Sequence, residues 1–126
     1  MLLVRTRIGP SSIAGIGLFA VEDIAATTPV WKLQEGFDVR LTQKDFLKLS
    51  MPAQEQVLNY CYFNERTQTY VVCGDDARFF NHSDAPNVSS SSEEDAVDCA
   101  LRDIAAGEEL TQDYHNFDGD AAAKLS

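Results

Sequence analysis

The sequence predicts a mainly β protein with a single domain, and three observations support this prediction. The 126 residues contain many short β-rich segments, few windows with helical periodicity, and no alternation of strands and helices. Hydrophobic residues make up 44% of the chain, close to the globular average and sufficient for one core. We therefore expect one domain over residues 1–126, near the commonest domain size.

The first third of the chain is expected to contain three short strands. Residues 2–8 alternate as in a strand that ends at Gly9-Pro10, and further strands are expected at residues 18–21 and 29–33. The intervening stretch SSIAGIGLFA has two glycines among apolar residues, which indicates a turn. It lacks the third glycine of a dinucleotide-binding fingerprint and opens no helix, so it is weak evidence for a nucleotide site.

Two short helices and a hairpin are expected in the middle of the chain. Thr42 suits the N-cap of TQKDFLKLS, and Pro52 suits the first turn of a second helix, AQEQVLNY. The segment YCYFNERTQTYVVCG then has two β-rich runs around a polar turn at residues 64–66, which predicts a hairpin.

The last third is expected to contain a polar loop, one strand and a frayed end. Residues 89–95, SSSSEED, are a low-complexity loop. The following AVDCALRDI alternates as a strand, with Val97, Cys99 and Leu101 on one face. The final DGDAAAKLS carries little signal and is expected to fray.

Composition narrows the cellular context and the partners. The net charge of −10 repels phosphate backbones, so a nucleic-acid partner is not expected. The same charge would attract a basic polypeptide, although an acidic surface can also serve solubility alone. No apolar run could cross a membrane, and Arg5 and Arg7 interrupt the apolar start, so we expect an intracellular, cytoplasmic protein, or a nuclear one if it is eukaryotic or host-acting. The three isolated cysteines are expected to be reduced, with Cys61 and Cys73 in the core.

Three segments, in order, resemble the signature motifs of SET-domain protein-lysine methyltransferases: SIAGIGLFAVEDIAATTPV, RFFNHSDAPNV and GEELTQDY. Together they cover about a third of the chain. The resemblance implies a β-clip-like fold of small sheets around a C-terminal pseudoknot, with one or two short helices. It also implies that S-adenosylmethionine binds on one face and that the target lysine enters from the opposite face through a narrow channel.

The resemblance assigns roles to individual residues. Those that match cofactor-contacting positions are Gly15, Ile16, Gly17, Arg78, Asn81 and His82. Taken alone, the first glycine motif fits a tight turn equally well, and His82 is expected to act through its backbone and packing. Tyr114 matches the catalytic tyrosine that orients the lysine nitrogen. The candidates for the channel wall are Tyr60, Tyr62, Phe80, Gln112 and Phe117. Because a free lysine has a pKa of about 10.4 and only the neutral amine reacts, activity should rise toward alkaline pH.

The chain departs from the family pattern in two ways. Asp84 stands where zinc-binding relatives have cysteine, and no cysteine follows Tyr114, so no zinc is expected and the chain resembles the compact bacterial or viral members. Phe117 with the tail, or a second subunit in a homodimer, must then cover the channel. Gln112 replaces an aromatic residue that limits the number of methyl groups in many relatives, so that number stays open.

Two other readings compete with a methyltransferase. A metal site is one, since histidines and carboxylates can ligate zinc or iron; its members would be His82, Asp84, Asp113 and His115. The other is a non-catalytic SET-like module that binds the cofactor or a basic peptide. If the protein is an enzyme with a basic protein or peptide substrate, acidic residues could steer that substrate. The candidates are Asp103, Glu108, Glu109, Asp113 and Asp118.

Overall fold

Four small sheets make up most of the regular structure in the computed structural model, which describes residues 1–126. The strands are β1 (Thr6–Pro10), β2 (Ile16–Ala20), β3 (Pro29–Trp31), β4 (Val39–Thr42), β5 (Tyr62–Asn64), β6 (Thr69–Val72), β7 (Asn81–His82), β8 (Asp98–Cys99) and β9 (Thr111–Gln112). They pair as β1-β2, β3-β8, β4-β6-β5 and β7-β9. The helices are α1 (Gln43–Phe46), α2 (Met51–Tyr60) and α3 (Ala121–Leu125), with 3₁₀ turns at Asp76–Phe79 and Tyr114–Asn116. The predicted mainly β fold is confirmed, and none of the helices has the length and apolarity needed to cross a bilayer.

The N-terminal segment forms two pieces of strand rather than the single predicted one. Leu2 bridges Trp31, and the Leu3 N–H donates to the Val30 carbonyl at 2.8 Å, so the chain start lies beside β3. β1 begins only at Thr6 and pairs with β2 through Pro10. The regular strand therefore lies further along the chain than predicted, and Gly9 and Pro10 are its last two residues rather than the turn that follows it. Proline is tolerated at this position because it lies at the end of an edge strand, where its missing N–H leaves no ladder bond unmade.

Local capping signals produce the two predicted helices. The Thr42 hydroxyl accepts from the Asp45 N–H at 3.1 Å, and the Ser50 hydroxyl accepts from the Ala53 N–H at 3.3 Å. Pro52 lies in the first turn of α2, where its missing N–H costs no hydrogen bond. The sequence did not indicate β4, whose strand geometry comes from pairing with β6.

The hairpin of β5 and β6 is confirmed, and a buried asparagine holds its turn. The Asn64 side-chain oxygen accepts from the N–H groups of Arg66 at 2.9 Å and Thr67 at 3.2 Å. Its amide nitrogen donates to the Ser92 carbonyl at 3.0 Å, which ties the polar loop 89–95 to this turn. The side chain thus satisfies both the turn and the loop.

The alternating segment after this loop shows its apolar residues to solvent. Val97 and Leu101 are exposed, whereas Asp98 and Ala100 are buried against the core. The alternation was predicted correctly, but only Asp98 and Cys99 belong to a strand, β8, which pairs with β3.

One cluster of buried side chains links the sheets. Its eleven members are Leu18, Ala20, Ile24, Val30, Trp31, Ala77, Phe80, Val88, Ala100, Ile104 and Leu110. Cys73 packs against this cluster and Cys61 is buried separately, which agrees with the prediction that both thiols lie in the interior.

Candidate active site

The second and third motifs lie side by side as the parallel pair of β7 and β9. In this ladder Asn81 is opposite Thr111 and His82 is opposite Gln112. The Ser83 N–H continues it by donating to the Gln112 carbonyl at 3.0 Å. Segments about thirty residues apart in sequence are therefore joined strand to strand, as the expected pseudoknot requires.

Asn87 locks this pair from the other side of the turn. Its amide nitrogen donates to the Glu109 carbonyl, and its oxygen accepts from the Thr111 N–H, both at 2.8 Å. The Val88 N–H adds a bond to the Thr111 carbonyl at 3.1 Å. The Asn87 side chain is almost fully buried, so these bonds form away from water and fix the register of the third motif.

All three motifs meet at the Asn81 cluster, which consists of Ser11, Ala14, Ile16, Asn81 and Glu109. The Asn81 amide nitrogen lies 3.0 Å from the Ala14 carbonyl, 3.3 Å from the Ile16 carbonyl and 2.9 Å from a Glu109 carboxylate oxygen. The Ser11 hydroxyl donates to the same carboxylate at 2.7 Å. A charge-assisted hydrogen-bond network thus holds the loop that contains Gly15 and Gly17, here called the glycine loop, against β7.

The glycine loop needs its glycines for two different reasons. Gly15 has φ +46°, in the left-handed region, where a side chain would be strained. At Gly17 a Cβ would lie 2.5 Å from the Glu109 carboxylate, so glycine permits that close approach. The tight-turn interpretation is therefore correct for Gly15, and the backbone around Ile16 is left half-exposed.

His82 fixes the backbone of Tyr114 through its ring. The Tyr114 N–H donates to His82 Nδ1 at 3.1 Å, while Nε2 lies 2.8 Å from Asp84 Oδ1. A neutral imidazole with its proton on Nε2 satisfies both contacts. The expectation that His82 acts through its backbone and packing is thus incomplete, because its ring also positions the tyrosine.

Tyr114 directs its hydroxyl at the main chain of the second motif. The hydroxyl donates to the Phe80 carbonyl at 2.6 Å. Burial, with smaller contributions from the charges of Asp118 and Glu109, raises the pKa of Tyr114 to about 12. The phenol therefore stays protonated at neutral pH, and its oxygen retains lone pairs that can accept a hydrogen bond.

One cavity of about 50 Å³, here called the aromatic cavity, brings the predicted channel residues together. It is lined by Tyr114 and by all five of the wall candidates, Tyr60, Tyr62, Phe80, Gln112 and Phe117. The Tyr62 ring packs edge-to-face on Phe117, with centroids 5.0 Å apart. Burial raises the pKa of Tyr62, so this phenol is uncharged at neutral pH.

The C-terminal tail supplies part of the cavity wall. Lys124 of α3 donates to the Cys61 carbonyl at 2.7 Å and to the Asp118 carboxylate at 2.6 Å. Asp118 in turn accepts from the Phe63 N–H at 3.1 Å. The predicted frayed end is therefore wrong: the tail docks because an ion pair and its hydrogen bonds hold it, and Lys124 lines the cavity.

The sequence belongs to a known family, as its motifs suggested. The family model described as SET domain matches residues 15–115. The chain belongs to the SET-domain family. A search of curated protein sequences finds no match.

Solved structures share the fold of this SET domain. One is a Plasmodium falciparum protein described as a candidate histone methyltransferase, with a TM-score of 0.61 and 19% identity over 90% of this chain and 95% of that one. Another is a humanized mutant of the Chaetomium thermophilum Polycomb Repressive Complex 2 bound to the inhibitor GSK126. Its TM-score is 0.64 and its identity 23%, over 94% of this chain but only 15% of that one.

The SET domain has a polar end to its aromatic cavity that the sequence did not reveal. Gln112 donates to the Ser89 carbonyl at 3.0 Å and to Asp98 Oδ2 at 2.8 Å. Burial raises the pKa of Asp98 to about 7, although Gln112 opposes this. The indole N–H of Trp31, also in the wall, is the only buried side-chain polar atom without a partner. The sequence did contain a signal for this polar end: Asp98 is a charged residue within the otherwise apolar alternation AVDCAL.

Three of the four residues of the rival metal hypothesis come close together, whereas Asp84 is not part of the group. Ligand atoms of His82, Asp113 and His115 lie within 4.8 Å of one another. However, the His82 Nδ1 lone pair accepts from Tyr114, and the Asp113 Oδ1 atom accepts from the His115 N–H at 3.0 Å. Both atoms are thus already engaged in hydrogen bonds within the chain.

The acidic residues expected to steer a substrate all have partners within the chain. Glu108 pairs with Arg102 at 2.9 Å, and Asp103 accepts from the Ala26 N–H at 2.8 Å. The remaining three, Glu109, Asp113 and Asp118, belong to the contacts described above. Only Glu108 and Asp118 pair with a lysine or an arginine, so Asp103, Glu109 and Asp113 keep their charges and contribute to the total of −10 that could steer a substrate.

Proposed function

We propose that this SET domain transfers a methyl group from S-adenosylmethionine to the side-chain amine of lysine in a protein substrate. The observation that carries the proposal lies at the Phe80–Asn81 peptide. The Phe80 carbonyl accepts from the Tyr114 hydroxyl in the aromatic cavity, and the next residue, Asn81, anchors the glycine loop. The expected cofactor side and the expected lysine side are thus separated by one peptide unit.

The residues on the cofactor side fit the chemistry of S-adenosylmethionine. Arg78 is exposed, stacks 5.0 Å from the Phe79 ring centroid and has no carboxylate partner in the chain, so its guanidinium is free to bind a carboxylate. The Asn81 amide donates within the cluster, which leaves its oxygen as an acceptor for an amino group. The cofactor supplies a sulfonium with a transferable methyl group.

On the lysine side, the chain's own residues bind and orient the amine. The aromatic walls exclude water, and this desolvation lowers the pKa of an incoming lysine. Tyr114 orients the amine through its oxygen rather than acting as a base, because its own pKa is about 12. We expect the rate to rise toward alkaline pH as the neutral amine becomes available; a rate that is flat from about pH 6 to 10 would contradict this.

The test compares methyl transfer by the wild type and by Tyr114→Phe. The proteins are incubated with methyl-labelled cofactor and a panel of basic proteins that includes histones. We expect Tyr114→Phe to lose about 100-fold in transfer rate, because the amine loses its orienting oxygen. The control is Tyr70→Phe, which removes a hydroxyl outside the cavity. Cofactor binding without transfer to any substrate would instead support a non-catalytic SET-like module.

We also propose that the substrate is a basic protein or peptide, on the basis of the net charge of −10. Added salt should then weaken substrate affinity, since it screens this attraction. Affinity that does not change with salt would contradict the proposal.

The homodimer stays a prediction, which sedimentation of the purified chain tests.

A further inference from the structure

Two polar side chains in the wall of the aromatic cavity have unused hydrogen-bonding capacity. Trp31 and Asp98 are paired across β3 and β8, and both are more than nine-tenths buried. The Trp31 indole N–H has no partner, and the Asp98 carboxyl is bonded only through Oδ2, to Gln112. A free donor and a free acceptor thus line the same space.

Neither group is explained by the stability of the fold. An unpaired buried donor destabilises the folded state, and a buried carboxylate without a cation destabilises it more. The nearest cations are committed elsewhere or exposed: Lys124 is bonded to Asp118 at 2.6 Å, and the amino-terminal ammonium to Asp38 at 2.8 Å. Arg78 is exposed.

The other acids of the cavity wall do not compete for this charge. Burial raises the pKa of Cys61, Tyr62, Cys73 and Tyr114, which remain neutral at neutral pH, and the remaining acid, Asp118, is paired with Lys124 at 2.6 Å. Asp98 is therefore the one carboxylate in the wall that lacks a cation, because Arg78, which also lines the cavity, is exposed and forms no ion pair with it. The aromatic rings of the wall suit an alkyl chain.

We propose that Asp98, held by Gln112, binds the ammonium group of the lysine side chain that enters the aromatic cavity and accepts its proton. This inference rests on the proposed function and adds a residue to it. In the step, one N–H bond of the ammonium breaks, the nitrogen keeps the electron pair, and an O–H bond forms on the carboxylate. Two opposite charges become two neutral groups, which a low-dielectric site favours. After the product leaves, the proton passes to water.

The raised pKa of Asp98 is consistent with this role. A carboxyl group with a pKa of about 7 is present in both forms at neutral pH, so it can take a proton and release it again within one turnover. A surface aspartate would stay ionised and would hold the lysine in its charged, unreactive form.

The first experiment measures binding without cofactor or turnover. n-Butylammonium serves as the lysine side-chain probe and n-butanol as its neutral counterpart, with carboxyl carbon and indole N–H resonances followed by NMR. In the wild type, n-butylammonium should shift the Asp98 and Trp31 signals and lower the pKa of Asp98. Asp98→Asn should bind n-butylammonium at least about tenfold more weakly and n-butanol equally well. The control, Asp95→Asn, changes the net charge equally but lies in the exposed loop.

Equal affinity of wild type and Asp98→Asn for n-butylammonium would overturn the inference.

The second experiment measures methyl transfer to a basic peptide. Asp98→Asn should raise KM and move the acidic limb of the kcat profile, whereas Asp95→Asn should change neither. If n-butylammonium binds through Asp98 but the wild type transfers no methyl group, the methyltransferase proposal fails and the cation site stands. If methyl transfer occurs but Asp98→Asn leaves KM and the pH profile unchanged, the methyltransferase proposal stands and the role of Asp98 fails.

Discussion

Asn87 and Asp98 are both polar and both more than nine-tenths buried, yet their energetic situations are opposite. Asn87 uses its donor and its acceptor on the main chain of the third motif, at 2.8 Å each. Asp98 has one hydrogen bond, from Gln112, and a pKa raised by burial. The comparison shows that buried polar groups of this fold have all their hydrogen-bond partners where strands must be joined, as at Asn87. They keep unused hydrogen-bonding capacity where a ligand is expected to enter, as at Asp98.

The largest loss of stability is expected at Asn87. Asn87→Ala should lower the free energy of unfolding by about 3 kcal/mol, because it leaves a buried carbonyl and a buried N–H unbonded. Chemical denaturation measures this change. Asn116→Ala, at an exposed asparagine, is the control and should stay within about 0.5 kcal/mol. A similar small loss for both variants would show that Asn87 does not hold the knot.

A smaller loss is expected at the glycine loop. Gly17→Ala should cost about 1–2 kcal/mol and weaken cofactor binding, because the new Cβ would displace the Glu109 carboxylate from Asn81. Gly9→Ala is a matched control, since Gly9 faces Gly17 in the same ladder and its Cβ would meet no atom closer than 3.3 Å. Calorimetric titration with S-adenosylmethionine should separate the two variants; equal affinities would exclude this role for Gly17.

An effect of opposite sign, a gain in stability that depends on pH, is expected at Asp98. The folded-state pKa of Asp98 is raised from its ordinary value of 3.8 to about 7, so the folded state holds the proton more tightly and its stability falls as pH rises between these values. Asp98→Asn removes this dependence. Its free energy of unfolding should exceed that of the wild type by roughly 4 kcal/mol at pH 8, since one pKa unit corresponds to about 1.4 kcal/mol, and should nearly match it at about pH 3. Thermal melts across this range provide the measurement, and a gain that is independent of pH would contradict the assignment.

The sequence predicts best those elements whose signals are local. The caps at Thr42 and Pro52 and the hairpin around Asn64 were predicted because each depends on a few neighbouring residues. β7 and β9 have two residues each, too few for any periodicity, so only the family resemblance could pair them. β4 was missed because its partner strand, rather than its own composition, decides its conformation.

The site residues that match the family motifs were predicted from the sequence. Those whose role depends on burial or on contacts with distant segments were missed. All five wall candidates line the cavity together with Tyr114. Asp98 was missed because alternation gives the two faces of a strand but not which one is buried, and hydrophobicity favoured Val97 and Leu101. The docking of α3 was missed because Lys124 pairs with Asp118 and the Cys61 carbonyl, and neither contact can be inferred from an alanine-rich tail.

The position of Trp31 has a practical consequence. It is the only tryptophan in the chain, and its indole lies in the cavity wall within 6.5 Å of the Tyr62 ring centroid. Its intrinsic fluorescence therefore senses a single environment, and a change in emission on adding a compound reports that the compound has reached this wall. An unlabelled sample in a fluorimeter is thus sufficient to screen candidate substrates and inhibitors.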